Sequence, residues 1–328
     1  MIQTAGDSNI MIQMDQVTRV FGDTRAVDCV SLQVHAGEVL GFIGPNGAGK
    51  TTSMRILSTL DLPTSGDAWI DGFSVTNDPD RVRRRIGWMP DGFGTYPDVS
   101  CEEYLDFFAR SYGIHGEERR STLQEVMKFT QLDELAFKPI AGLSKGMKQR
   151  LCLGRALIHN PGVLILDEPA AGLDPRARIE LREMIRALAD EGKAILVSSH
   201  ILTELAEMCD RVAIIEQGQL LAVGTVDEIL SRQVGEETAG TADDEKIELT
   251  IQVLSDPTAA IKWLEEQPNV GPIRTELSQL KFLYPNDSDA HANLLASMIH
   301  ADIRVARFNS QQRSLEDVFL QVTQGRIQ

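Results

Sequence analysis

The chain has no excess of basic residues, no long apolar run and no paired cysteines, and each absence narrows what it can be. Its 32 Lys and Arg face 48 Asp and Glu, for a formal net charge of −16. A grip on nucleic acid normally needs a basic patch, so no nucleic acid is expected as a partner. The same deficit argues against broad electrostatic attachment to an anionic membrane face. No apolar stretch approaches the ~20 residues that span a bilayer. The first residues, MIQTAGDSNI, lack a basic segment followed by an apolar one, so no secretory signal is expected. A soluble chain is expected; any membrane part has to come from another polypeptide. Cys29, Cys101, Cys152 and Cys209 are scattered without metal or redox spacing. They read as free or buried thiols in a reducing compartment.

What is present is a core and a motif. Apolar residues make up 42% of 328, which supports about two folded domains. Residues 44–52 read Gly44-Pro45-Asn46-Gly47-Ala48-Gly49-Lys50-Thr51-Thr52, which fits G-x-x-x-x-G-K-[ST] without a gap. The motif lies between an apolar strand ending at Ile43 and a helical pattern opening at Lys50, the context it requires. Its glycines let successive N–H groups turn inward into an anion nest, and the following helix points its positive end at the same place. Lys50 adds a mobile cation for the outer phosphates, and the Thr51 hydroxyl is a candidate ligand for Mg²⁺.

Residues 1–9 read as a polar tail. Over 10–231, short apolar strands (38–43, 162–167, 194–198) alternate with amphipathic helices such as the one carrying Leu181, Met184, Ile185 and Leu188. That alternation predicts an α/β domain with a mostly parallel sheet. Helical signals dominate 91–160, where Leu105, Phe108, Ala109 and Tyr112 form an i, i+3, i+4, i+7 stripe; this predicts a helical insert. Residues 232–246 are acidic and rich in small residues, and predict a linker. Residues 247–328 follow the order strand, helix, two strands, helix, strand, which predicts a small α+β domain of split β-α-β type. A last helix is expected from Ser314, with Asp317 completing a capping box.

A second motif is Val163-Leu164-Ile165-Leu166-Asp167-Glu168-Pro169. Four apolar residues and then two acids describe a buried parallel strand that ends at the ligand-binding edge of a sheet. Asp167 there is a candidate Mg²⁺ ligand, and Glu168 a candidate general base for an attacking water. A third is Leu143-Ser144-Lys145-Gly146-Met147, where Ser144 and Gly146 precede a helix expected over about 147–158 and form another anion site. Some residues carry plainer readings beside the functional ones. Phe21 also suits an ordinary core aromatic, His200 a strand-end histidine bonded to backbone, and Asp174 the N-cap of a helix opening at Pro175. Trp88 reads as core.

Together these motifs resemble the ATP-binding subunits of ABC transporters over residues 11–229. LSKGM is similar to that family's LSGGQ signature, Phe21 to its adenine-stacking aromatic, Leu173-Asp174 to its subunit-contact loop and His200 to its γ-phosphate switch. The resemblance implies a P-loop NTPase with a RecA-like core and a helical subdomain, with ATP and Mg²⁺ as cofactors. It implies two copies stacked head to tail, with ATP between the loop 44–52 of one and Ser144–Gly146 of the other. Lys50, Thr51 and Asp167 would hold phosphate and metal, with Glu168 as base and His200 as sensor. Where the family usually carries Gln, this chain has Asp91, a shorter anionic side chain that only accepts hydrogen bonds. The resemblance places Asp91 at the metal and at the hinge toward a membrane partner. LSKGMKQRL and the ending SLEDVFL are similar to type-two ABC exporters, which implies a transmembrane permease as partner at the cytoplasmic face of the membrane. Two other readings are a soluble ATP switch of DNA repair or translation and a cassette that binds ATP without turnover. The first normally brings a coiled-coil insertion, or two cassettes with basic linkers.

Overall fold

The structure, a computed structural model, describes residues 9–92, 94, 96, 98–201, 205–229, 246–254, 257–276, 279–285 and 287–311. They belong to two compact units that divide after Val226. The expected last helix and most of the expected linker lie outside the described residues.

The first unit opens with an antiparallel sheet that the alternation of strands and helices did not predict. Strands β1 (Ile10–Phe21) and β2 (Thr24–His35) pair through the two-residue turn Gly22-Asp23. Both alternate buried and outward positions, as in Ile12 and Met14 or Val30, Leu32 and Val34, so one face enters the core. With β4 (Ser65–Ile70) and β5 (Phe73–Ser74) they form a sheet of order β2-β1-β4-β5. Gly-Asp between apolar runs is the local signal for this hairpin.

The second sheet carries the motifs. Its strands are β3 (Val39–Ile43), β6 (Ile86–Met89), β7 (Val163–Leu166), β8 (Ala194–Ser199), β9 (Arg211–Glu216) and β10 (Gln219–Gly224). Their order is β10-β9-β3-β8-β7-β6, all parallel except the edge strand β10. Every residue of β3, β7 and β8 is buried, as expected of parallel strands covered on both faces. Helix α1 (Lys50–Leu57) follows β3, and α2 (Pro79–Arg83) precedes β6. Trp88 packs half-buried against this core.

The helical insert contains α3 (Cys101–Ser111), α4 (Gly116–Phe129) and α5 (Lys145–Leu157). Helix α3 begins with a capping box between Ser100 and Glu103. Its predicted stripe is only half buried: Leu105 and Ala109 are core, whereas Tyr112 is 43% exposed. Helix α5 starts two residues earlier than expected. The Ser144 hydroxyl accepts the Met147 N–H and so caps a helix that already includes Gly146. Helix α6 (Pro175–Asp190) presents Leu181, Met184, Ile185 and Leu188 to the interior, as the periodicity predicts.

The second unit contains β11 (Lys246–Val253), α7 (Pro257–Glu265), β12 (Arg274–Glu276), β13 (Gln279–Pro285), α8 (Ser288–His300) and β14 (Val305–Gln311). Its sheet has the order β12-β13-β11-β14 with every neighbour antiparallel, the arrangement a split β-α-β unit gives. Leu249, Ile251, Leu280 and Phe282 pack there with Leu264, Leu294 and Met298.

Candidate nucleotide site

Because β3, β8 and β7 are parallel neighbours, the segments leaving their carboxyl ends emerge side by side. These segments are the loop 44–49 after β3, Asp167-Glu168 after β7 and His200 after β8. The loop is sterically committed. A Cβ on Gly44 would lie 2.3 Å from the Ile215 carbonyl oxygen, and one on Gly49 would lie 2.4 Å from that of Ala26. Gly49 also holds φ at 107°, which glycine alone adopts without strain. Pro45, Asn46 and Gly47 face solvent, while Ala48 is buried.

Helix α1 begins with no side-chain cap and no acid in its first turn. Helices α3, α5 and α6, by contrast, all have capping side chains. Free N–H groups at an uncapped helix start fit an anion. Lys50 is only 6% exposed. Its ammonium donates to the carbonyls of Gly44 at 2.5 Å and Pro45 at 3.2 Å, and lies 3.9 Å from Glu168 Oε1. Burial lowers its pKa, against the opposing pull of Glu168 and Asp167. The cation therefore rests on neutral oxygens and a distant carboxylate, and phosphate oxygens would give it the stronger, charge-assisted partners.

The two acids are joined through a hydroxyl. Ser198 Oγ donates to Asp167 Oδ1 at 2.7 Å and accepts the Glu168 N–H at 2.9 Å. Asp167 is buried. Glu168 adopts φ 49°, uncommon for a residue with a Cβ, and such strain concentrates at working sites. Its Oε2 lies 2.8 Å from His200 Nδ1. A carboxylate only accepts, so Nδ1 carries the proton; in a neutral ring, Nε2 is then free to accept.

Thr51 and Asp91 are exposed, and Thr52 is half-buried. Among the described residues no cluster of three His, Cys, Asp or Glu could hold a metal unaided. A buried carboxylate and a hydroxyl beside a phosphate nest do fit Mg²⁺, which usually takes one or two carboxylates and completes its shell with phosphate and water. Phe21 is 45% exposed, so it is not the core aromatic of the plainer reading. The Arg19 guanidinium lies over its ring at 4.3 Å. The hairpin that carries Phe21 approaches the loop where Ala26 meets Gly49.

The signature residues sit elsewhere. Ser144 is exposed, and Gly146 packs against α6, where an added Cβ would lie 3.1 Å from Ala177 Cβ. Asp174 is the N-cap of α6, accepting the Ala177 N–H at 3.0 Å ahead of Pro175. Among the described residues, no hydrogen bond or ion pair joins 144–146 to the loop 44–52. Sequence reasoning overlooked Ser198. Its only trace is a polar pair, Ser198-Ser199, ending an otherwise apolar strand.

Fold and edge together define a P-loop nucleotide-binding protein. The ABC transporter family matches residues 27–171. The linearmycin resistance ATP-binding protein LnrL of Bacillus subtilis is 30% identical, over 95% of this chain and 98% of its own length. The Nod factor export ATP-binding protein I of Ralstonia nicotianae is 31% identical over 96% and 94%. A dimeric post-hydrolysis structure of the ATP-binding cassette MJ0796, bound to ADP and Pi, superposes with a TM-score of 0.59 at 27% identity, covering 66% of this chain and 98% of that one. The chain belongs to the ATP-binding proteins of ABC transporters. Both curated relatives are nearly coextensive with it, whereas the solved cassette covers two thirds.

Proposed function

We propose that this chain hydrolyses ATP to drive an exporter through a separate transmembrane permease, as a head-to-tail dimer at the cytoplasmic face of the membrane. The observation that carries the dimer is the division of the site. Lys50, Asp167, Glu168 and His200 converge at one sheet edge, while Ser144 and Gly146, at the start of α5, make no bond to that edge among the described residues. A second copy brings the two halves together. The dimeric state of a related cassette and the export and resistance roles in the relatives' names support the reading.

In each site the loop 44–52 and Lys50 bind the phosphates, and Phe21 offers its face to the base. Thr51, Asp167 and, from the exposed loop after β6, Asp91 would hold Mg²⁺, which neutralises phosphate charge when bound. Glu168 accepts a proton from water, and the His200 contact holds its carboxylate in place. Phosphoryl transfer to water needs such positioning more than covalent chemistry. Among the described residues no helix is long and apolar enough to cross a membrane, so the permease supplies the spans. A groove lined by Ser58, Leu60, Arg83, Trp88, Phe108 and Tyr112 lies between the core and the insert, and it suits an amphipathic segment of that permease.

Glu168→Gln tests this. Turnover should fall by at least about 10²-fold with the base removed. ATP and Mg²⁺ should then convert the full chain to a dimer in size-exclusion chromatography with light scattering. A chain that stays monomeric under those conditions overturns the shared site.

A further inference from the structure

The starts of α5 and α6 are what the proposed dimer would show its partner, and the structure ties them together by more than packing. Arg150, on α5, donates through Nη2 to Glu180 Oε2 on α6 at 2.5 Å, across 30 residues of sequence. Its Nη1 donates to Gln131 Oε1, after α4, at 3.0 Å. The second carboxylate oxygen of Glu180 accepts from Arg176 Nε at 3.0 Å. The Arg150 and Glu180 side chains are only 17% and 20% exposed. Nearer the loops, Gly146 abuts Ala177, and the Lys145 ammonium lies 2.5 Å from where a Gly172 Cβ would be.

A largely buried ion pair is a poor source of net stability, because desolvation offsets the attraction. What it supplies is geometry. The planar fork of an arginine can hold two acceptors in fixed directions, which the point charge of a lysine cannot. Here the fork holds the segment just past α4, the body of α5 and the first turns of α6. Neither Arg150 nor Glu180 makes a hydrogen bond or ion pair to residues 44–52 among the described contacts.

We propose that Arg150 and Glu180 are positioning residues. They fix Ser144–Gly146 against Asp174, so that a partner copy meets both loops as one rigid surface. This rests on the dimeric reading above and adds to it the element that orders the donated half-site. The pair should therefore affect dimer assembly and leave each copy's own hold on ATP unchanged.

The test uses the full chain carrying Glu168→Gln, with Glu180→Gln or Arg150→Lys added. Sedimentation with ATP and Mg²⁺ gives the dimer Kd, and a fluorescent ATP analogue at high dilution gives the monomer's nucleotide affinity. Glu180→Gln should weaken the dimer by about tenfold, the size of a contact-pair coupling, with monomer affinity within about twofold. Arg150→Lys, which keeps the charge and loses the fork, should weaken the dimer as well. An unchanged dimer in either variant, or a parallel loss of monomer affinity, overturns the positioning role. If Glu168→Gln alone never dimerises, the shared site itself falls and takes this role with it; the parent protein by itself reports that result.

Discussion

Among the described residues the first unit buries the charged side chains Glu38, Lys50 and Asp167, whereas the second buries no charged side chain between Leu249 and Ile303, only the phenol of Tyr284 and the hydroxyl of Thr250. Burying charge is costly unless it is paired, so its distribution marks where the chain has been shaped for more than folding. The first unit's buried charges also differ among themselves. Glu38 is saturated: it accepts from the His35 N–H at 2.7 Å and from Arg211 at 3.0 Å. Lys50 instead leans on two carbonyls, with its nearest carboxylate at 3.9 Å. A saturated charge reads as structural, and an under-paired one as held ready for a ligand. Among the described residues the second unit has neither kind in its core.

The largest effect that could break this comparison comes from Phe282→Ala, since Phe282 is among the largest fully buried side chains. Removing a buried aromatic typically costs about 3–5 kcal/mol. The loss should appear in urea unfolding and in hydrogen exchange of peptides from 246–311, with ATP affinity unchanged. A matching loss of ATP affinity would show that the second unit takes part in the nucleotide site. Lys50→Met should do the reverse. Losing charge-assisted bonds worth about 1.5–3 kcal/mol should weaken ATP binding by about 10- to 100-fold in titration calorimetry. Hydrogen exchange across 246–311 should not move. Unchanged affinity would mean that the loop backbone alone holds the phosphates.

What was legible in the sequence follows the range of the forces involved. The loop 44–52, the strand ending in Asp167-Glu168, and Asp174 before Pro175 are local patterns, and the structure places them as the patterns imply. The four strands of the second unit were readable from alternation and spacing. The hairpin of β1 and β2 was missed although Gly22-Asp23 signals it, because the helix-and-strand rhythm further along dominated the reading. The start of α5 was misplaced because the glycine of LSKGM resembles loop until the Ser144 cap is seen. The Ser198 bridge and the Arg150–Glu180 pair join residues about 30 apart in sequence, and no local pattern encodes such contacts.

Histidine sharpens the comparison at the smallest scale. His300 in the second unit is exposed, whereas the His159 ring, just past α5, stacks on Tyr112 at 3.8 Å and nearly parallel. Its Nε2 lies 2.9 Å from the Ile86 carbonyl, which only accepts, so Nε2 carries the proton. Nδ1 is buried without a partner. Burial, with Lys193 nearby, lowers its pKa from 6.5 to about 4 even though the Ile86 bond favours the charged ring. The unfolded chain therefore binds this proton more readily than the folded one. The neutral ring's contribution is complete above the unfolded value and is lost as pH falls from about 6.5 toward 4. Allowing for its partial exposure, the loss should be about 2 kcal/mol. Urea unfolding of the parent and of His159→Asn at pH 7, 6 and 5 should give curves that converge as the pH drops, because the variant has nothing to protonate there. Parallel curves would mean that the ring is already solvated in the folded state, and the contrast between the two units would then rest on Lys50 and Asp167 alone.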